Sequence, residues 1–190
     1  MKKMSVAIAA LAVLASLPAQ ARAQEKSRRF EIAPLVGAYL PTGGQRDMLD
    51  DSVLAGLTVS YDVIPYAAVV GAFSWAPTHA KGVGNGDLDL FQYDLGVQGQ
   101  LPIALSGDLT LKPFVGVGAG ARTYSFRDLN VDSETDFAGY VSAGASLQYQ
   151  AVAVSLTARD YLTPFNGIGR ETSTQTRNDL ALFGSVGVRF

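Results

Sequence analysis

The twelve residues Asp179–Phe190 constrain this chain more than any others. Leu180, Leu182, Gly184, Val186, Val188 and Phe190 fall on one side of an extended chain. Asp179, Ala181, Phe183, Ser185, Gly187 and Arg189 fall on the other. Period two over this length predicts a β-strand with one apolar face. Such a strand needs backbone partners on both edges and a cover for its apolar side. The sequence closes on an aromatic residue with no tail after it, an unusual stop for a soluble sandwich, where a frayed apolar end would be exposed.

The same alternation predicts seven earlier strands: Arg29–Leu40, Leu54–Val63, Ala67–Ala76, Leu88–Leu101, Leu109–Phe126, Asp136–Tyr149 and Val152–Leu162. The joins near Pro65, Ser106 and Gln150 are tight, with Pro102–Asp108 read as one turn. Those after Leu40, Ala76, Phe126 and Leu162 are long and polar. Pro34 and Pro113 would each remove a ladder donor, so both are expected at bulges or strand starts near the short-turn rim. Phe114 and Phe183 fall on the polar side by parity, which a bulge would explain.

Composition decides which face points outward. The polar faces hold mostly Gly, Ala, Ser, Thr and Gln with few charges. A water-facing exterior would be rich in Lys, Glu and Arg, whereas small polar residues suit the crowded interior of an eight-stranded barrel. The opposite faces carry Leu, Val and aromatics. Beyond the first residues no stretch has the length and apolarity of a membrane helix, so a membrane could be crossed only by a closed barrel. The expected fold is all-β: a closed eight-stranded antiparallel up-and-down transmembrane barrel with short turns at one end and longer loops at the other. Phe30, Tyr61, Tyr149 and Phe190 cluster towards the short-turn end. Phe73, Trp75, Phe91, Tyr93 and Phe137 cluster towards the other, as two interfacial girdles would.

Met1–Lys3 is basic, Met4–Leu17 is uncharged and mostly apolar, and Ala19–Ala23 offers two A-x-A cleavage sites. This predicts a secretory signal peptide over residues 1–23, cleaved after Ala23 or alternatively Ala21, leaving 24–190 as one domain. Removing Lys2, Lys3 and Arg22 lowers Lys+Arg from 15 to 12 against Asp+Glu 17, a net charge of −5. No basic patch points to nucleic acid. With no cysteine, disulfides and thiolate metal sites are excluded.

At these residues the chain resembles the small outer-membrane β-barrels of Gram-negative bacteria, of the OmpA-transmembrane, OmpX and OmpW type. The final strand carries the resemblance, with Leu182, Val186, Val188 and Phe190 in the positions that the barrel-assembly machinery reads in that family. The resemblance covers the whole mature chain. It implies a monomeric outer-membrane protein in contact with lipid and lipopolysaccharide, with short turns in the periplasm and loops outside. It implies a structural or surface-interaction role without cofactor, and not the peptidoglycan binding of longer relatives. The alternatives are an OmpW-like conduit for small apolar solutes, which needs a dry upper lumen and a lateral opening, and a lipid A-modifying enzyme.

An enzyme of that kind needs a serine activated by a histidine. The only histidine is His79, within Pro77-Thr78-His79-Ala80-Lys81, and no His-x-Ser phrase accompanies it. The acidic loop residues Asp87, Asp89, Asp128, Asp132, Glu134 and Asp136 lack the spacing of a calcium loop, and Gly116–Gly120 lacks the strand–turn–helix setting of a nucleotide loop. The inward-facing charges Glu31, Asp62, Asp94, Lys112, Arg122, Arg159 and Arg189 predict a paired polar network in the lumen, since buried charges need partners. Strands one and eight must meet to close a barrel. Glu31 and Arg189 should then lie at similar depth across the seam, in an ion pair or polar cluster that includes Lys112.

Overall fold

A computed structural model describes residues 28–42, 46, 49–79, 87–126, 133–165 and 175–190. The expected signal peptide and the loop residues Asp128 and Asp132 lie outside these. The strands are β1 (Phe30–Pro41), β2 (Ser52–Ile64), β3 (Ala67–His79), β4 (Asp87–Gln100), β5 (Ile103–Ser106), β6 (Leu109–Phe126), β7 (Glu134–Tyr149), β8 (Val152–Phe165) and β9 (Gln175–Arg189). All pairings are antiparallel; β4 pairs with β6, and β9 pairs with β1, so eight long strands form a closed wall.

Register fixes the geometry of that wall. Partners traced from Phe30 run through Tyr61, Val69, Val97, Val117, Val141, Asp160 and Leu180, and return to β1 at Leu40. The circuit therefore climbs ten residues, from 30 to 40. A closed wall with this stagger must tilt its strands, by roughly 35–45° in barrels of this kind.

The apolar faces point outward. Val36, Leu95, Val115 and Leu156 are exposed on the outer wall, whereas Ala33, Tyr39, Gln92, Arg122 and Tyr161 are buried inside. Asp160 is one charged residue on the outer face, and Asp89, nearer the long-loop end, is another. Asp160 shares the outward parity of Val154 and Leu156 and lies between Val141 and Leu180.

Several local expectations are corrected. Residues 102–108 are not one turn: β5 continues the path of β4, and the reversal is confined to Gly107, at φ +50°, and Asp108. Pro34 and Pro113 sit within strands, at neither bulges nor strand starts. Pro34 pairs in register with Leu57, and only the β1–β9 ladder is interrupted beside it. Pro113 pairs with Ala145, and the break falls between β4 and β5. A missing N–H disturbs the one ladder it would have faced and leaves the other intact. Phe114 and Phe183 need no bulge, because both rings are buried inside. A Cβ on Gly144 would come 2.6 Å from Phe114 Cζ, so that glycine makes the room.

Strands also run further than expected at the long-loop end. β2 starts at Ser52, β3 reaches His79, and β8 and β9 stay paired to Phe165 and Gln175. Loss of apolar alternation marks the limit of the outward apolar band, but ladder hydrogen bonds continue past it.

The filled lumen as candidate functional site

The interior is layered, and each layer follows from which inward positions the ten-residue stagger brings to one height. At the long-loop end the filling is apolar. Leu49, Leu54, Ala76, Leu88, Leu90, Tyr124 and Ala138 form a buried cluster. Polar parity did not foresee this cap, although Leu54, Leu88 and Leu90 all fall on inward positions.

Below it sits Arg122. Its guanidinium is ion-paired with Asp179, and both side chains are fully buried. It also lies over the rings of Tyr39, at 5.4 Å, and Tyr161, at 4.8 Å. A buried guanidinium needs both a counter-charge and flat neighbours that tolerate its weakly hydrated faces. The next layer is built on Arg159, whose Nη1 donates to Asp94 Oδ2 at 2.7 Å. The Tyr161 hydroxyl donates to the same oxygen at 2.5 Å. Arg159 lies 4.2 Å from the Tyr140 ring centroid and 5.4 Å from that of Phe183. The Tyr140 ring enters the lumen because Gly96 and Gly118 face it without side chains.

Between this layer and the short-turn end lies a small chamber of about 60 Å³, walled largely by Ser, Thr and Gln, including Ser60, Ser142, Thr157 and Gln98. The floor is ionic. Asp62 Oδ2 accepts from Arg189 Nη2 at 2.6 Å and from Lys112 Nζ at 3.1 Å, while its Oδ1 accepts from Gln100 at 2.9 Å. Arg189 Nε lies 3.5 Å from Glu31 Oε2, and its Nη1 donates to Gln148 at 2.7 Å. Glu31 and Arg189 are direct register partners across the seam.

All seven inward charges singled out from the sequence line the interior, in separate groups. Asp94 meets Arg159; Glu31, Lys112 and Arg189 gather around Asp62; Arg122 meets none of them. Its partner Asp179 has inward parity but lay at the edge of an expected loop. The tyrosines beneath the guanidinium groups were legible only as inward positions.

On the exterior, Phe30, Tyr61, Tyr149 and Phe190 are exposed at the short-turn end, and Phe73, Tyr93 and Phe137 higher on the wall. Phe73 packs against Tyr93, with centroids 5.2 Å apart, and against Phe91, at 6.4 Å. The Trp75 indole donates to Asp89 Oδ1 at 2.7 Å. Leu182 and Val186 face outward beside half-buried Val188. Phe190 N donates to Phe30 O at 2.8 Å, and their rings lie 6.4 Å apart. His79 is an exposed rim residue, 2.9 Å from Asp87. Among the described residues no group of three or more His, Cys, Asp or Glu could hold a metal ion.

No curated protein matches the chain in sequence. The fold is shared with Neisserial surface protein A (NspA), at a TM-score of 0.63 and 14% identity, covering 85% of this chain and 97% of that one. The outer membrane protein OprG of Pseudomonas aeruginosa aligns at a TM-score of 0.56 and 14% identity, over 86% of this chain and 97% of its own. The N-terminal β-barrel domain of OprF, from the same organism, aligns at 0.54 and 11%, over 87% and 100%. At such identities these likenesses speak for architecture only. The family model for the outer membrane protein beta-barrel domain matches residues 7–190, and the chain belongs to that outer-membrane family.

Proposed function

We propose that this chain is a non-enzymatic integral outer-membrane protein whose wall is a rigid support for its external loops, with a structural or surface-interaction role. The observation that carries the reading is the filling of the lumen. Two arginine layers, Arg122–Asp179 and Arg159–Asp94, span the interior with side chains 0–5% exposed. Above them Leu54 and Leu90 are 1% and 0% exposed. A path along the lumen axis would have to open all of these layers together, and a lateral exit would have to displace the apolar packing above them. The upper lumen is apolar, as a conduit for apolar solutes would need, but it is packed with side chains. The sole histidine pairs with Asp87 on the exposed rim and offers the lumen no general base.

The same reading includes export by the N-terminal signal peptide, folding by the barrel-assembly machinery, a monomeric state, and lipid and lipopolysaccharide around the girdles. The test is planar-bilayer conductance of the refolded protein, with uptake of a small apolar solute into proteoliposomes beside it. The reading expects no discrete single-channel steps and uptake no faster than through lipid alone. Stable channel openings or accelerated uptake would refute it.

A further inference from the structure

The two halves of the lumen differ in what can reach them. At the floor the side chains of Glu31, Asp62 and Arg189 are 12–16% exposed. Those of Arg159 and Asp94 are 1–5% exposed, and those of Arg122 and Asp179 are not exposed at all. Access therefore falls in steps from the short-turn mouth and ends between the two arginine layers. The chamber of about 60 Å³ lies along this gradient, between Arg159 and the floor. Asp62 lines both that chamber and a wider cavity of about 230 Å³ at the mouth, so the two meet at its side chain.

The chamber is lined by the hydroxyl residues Ser60, Ser142, Ser146, Ser155 and Thr157. Two polar groups of its lining residues have no protein partner among the described residues: Nε of Arg159, at the ceiling, and Oγ of Ser146. Both residues are more than nine-tenths buried. A buried N–H left unmatched costs free energy, which a guest that accepts from it recovers. The ionic groups around the chamber leave no net charge for an ion to neutralise. Glu31 and Asp62 face Lys112 and Arg189, and Asp94 faces Arg159. The fitting guest is neutral, small, and able both to donate and to accept. Water meets all three conditions, and polar cavities hold it where apolar ones stay dry. The volume of about 60 Å³ has room for about two waters at their liquid share of roughly 30 Å³ each.

We infer that the lower lumen is a blind, water-binding half-pore: water enters at the short-turn mouth past Asp62, is held by the serine and threonine hydroxyls, and ends on Arg159 Nε. Aromatic rings stop it there. Arg159 lies against Tyr140 and Phe183, and the next guanidinium, Arg122, against Tyr39 and Tyr161. Above them Leu54 and Leu90 offer water no partner. The half-pore exchanges water with the short-turn side and passes nothing across the wall's full height. This inference deepens the structural reading and rests on it for the closed upper end. It places the seal at the Arg122–Asp179 layer and the leucines above, and makes the ionic floor a partition that water passes.

The test is magnetisation transfer from water to the arginine side-chain nitrogens, read by solid-state NMR on the full protein refolded in lipid vesicles. Transfer to Arg159 Nε should be several-fold faster than transfer to Arg122 Nε. Ser142→Val with Thr157→Val removes two hydroxyls from the chamber wall and narrows it. That double variant should slow transfer to Arg159 several-fold, towards the Arg122 rate. Transfer to Lys112 at the floor should be unchanged and the gel shift on boiling retained. The comparison of the two arginines in the unaltered protein stands whether or not the variant folds. A dry Arg159 in a protein without channel openings sinks this inference and spares the sealed reading. Channel openings with a wet Arg159 and a dry Arg122 do the reverse. Equal rates at the two arginines, both fast or both slow, or fast transfer to Arg159 in the folded double variant, would overturn the half-pore.

Discussion

Arg122 and Asp179 offer the sharpest test of the layered interior. Both side chains are fully buried, so Arg122→Gln leaves a carboxylate in the lumen without its guanidinium. Breaking a buried pair from one side costs about 3–5 kcal/mol. Arg122 also loses its positions over Tyr39 and Tyr161, at about 0.5–2 kcal/mol each. The expected loss for Arg122→Gln is thus roughly 4–9 kcal/mol. Asp179→Asn keeps both ring contacts and leaves Arg122 opposite its register partner Asp136. Its cost should stay near or below the lower end of that range. The double variant removes both charges, and its loss should fall short of the sum of the single losses by about 3 kcal/mol, at the upper end of coupling energies between contacting residues. The assay is urea unfolding in lipid vesicles, followed by the fluorescence of Trp75, the only tryptophan. Additive losses, or an Asp179→Asn variant less stable than Arg122→Gln, would refute the reasoning.

Three further outcomes follow from the same geometry. Arg189→Gln should slow barrel closure and cost about 1–3 kcal/mol, between exposed and buried pairs, because it strips partners from Asp62 and Glu31. Adding Glu31→Gln should recover part of the loss in folding yield, and strictly additive yields would count against a coupled seam. Gly118→Ala places a Cβ 2.5 Å from Leu95 O and from the Tyr140 ring; it should cost about 1–3 kcal/mol by overpacking. Gly184→Ala, whose nearest contact is Ser155 O at 3.8 Å, should be close to neutral in the same urea unfolding assay. His79→Ala removes an exposed rim pair worth at most about 1 kcal/mol, and should leave folding and the lipid A mass spectrum of expressing cells unaltered; a changed lipid A would contradict the non-enzymatic reading.

The wall was legible in the sequence because period two is rigid: once Val141 is outward, Tyr140 and Ser142 can only be inward. The long-loop ends were less legible. Residues 163–165 and 175–178 read as part of a polar loop, yet their backbones pair because the ladder does not depend on side-chain polarity. The interior was legible residue by residue but not contact by contact. Arg122 and Asp179 are 57 positions apart, and their meeting depends on a stagger set by all eight pairings at once. Phe114 and Phe183 looked misplaced because an inward aromatic needs a facing vacancy, and the vacancy for Phe114, Gly144, lies on a different strand.

A chain with this apolar exterior and this filled, layered interior should stand in a membrane. Accessibility of single spin labels at each position from 138 to 147 on β7 tests it most directly, in lipid vesicles, with oxygen as the lipid-soluble and a nickel chelate as the water-soluble relaxant. The account expects oxygen accessibility to alternate with period two, high at Phe137-parity positions such as Val141, Ala143 and Leu147. It expects both relaxants to be low at Tyr140, Ser142 and Ser146, because the arginine layers and the ionic floor leave only a small chamber beside Ser142 and Ser146. High nickel accessibility at Ser142 would show an open aqueous pore, and oxygen maxima at 140, 142 and 146 would invert every face assigned to the wall.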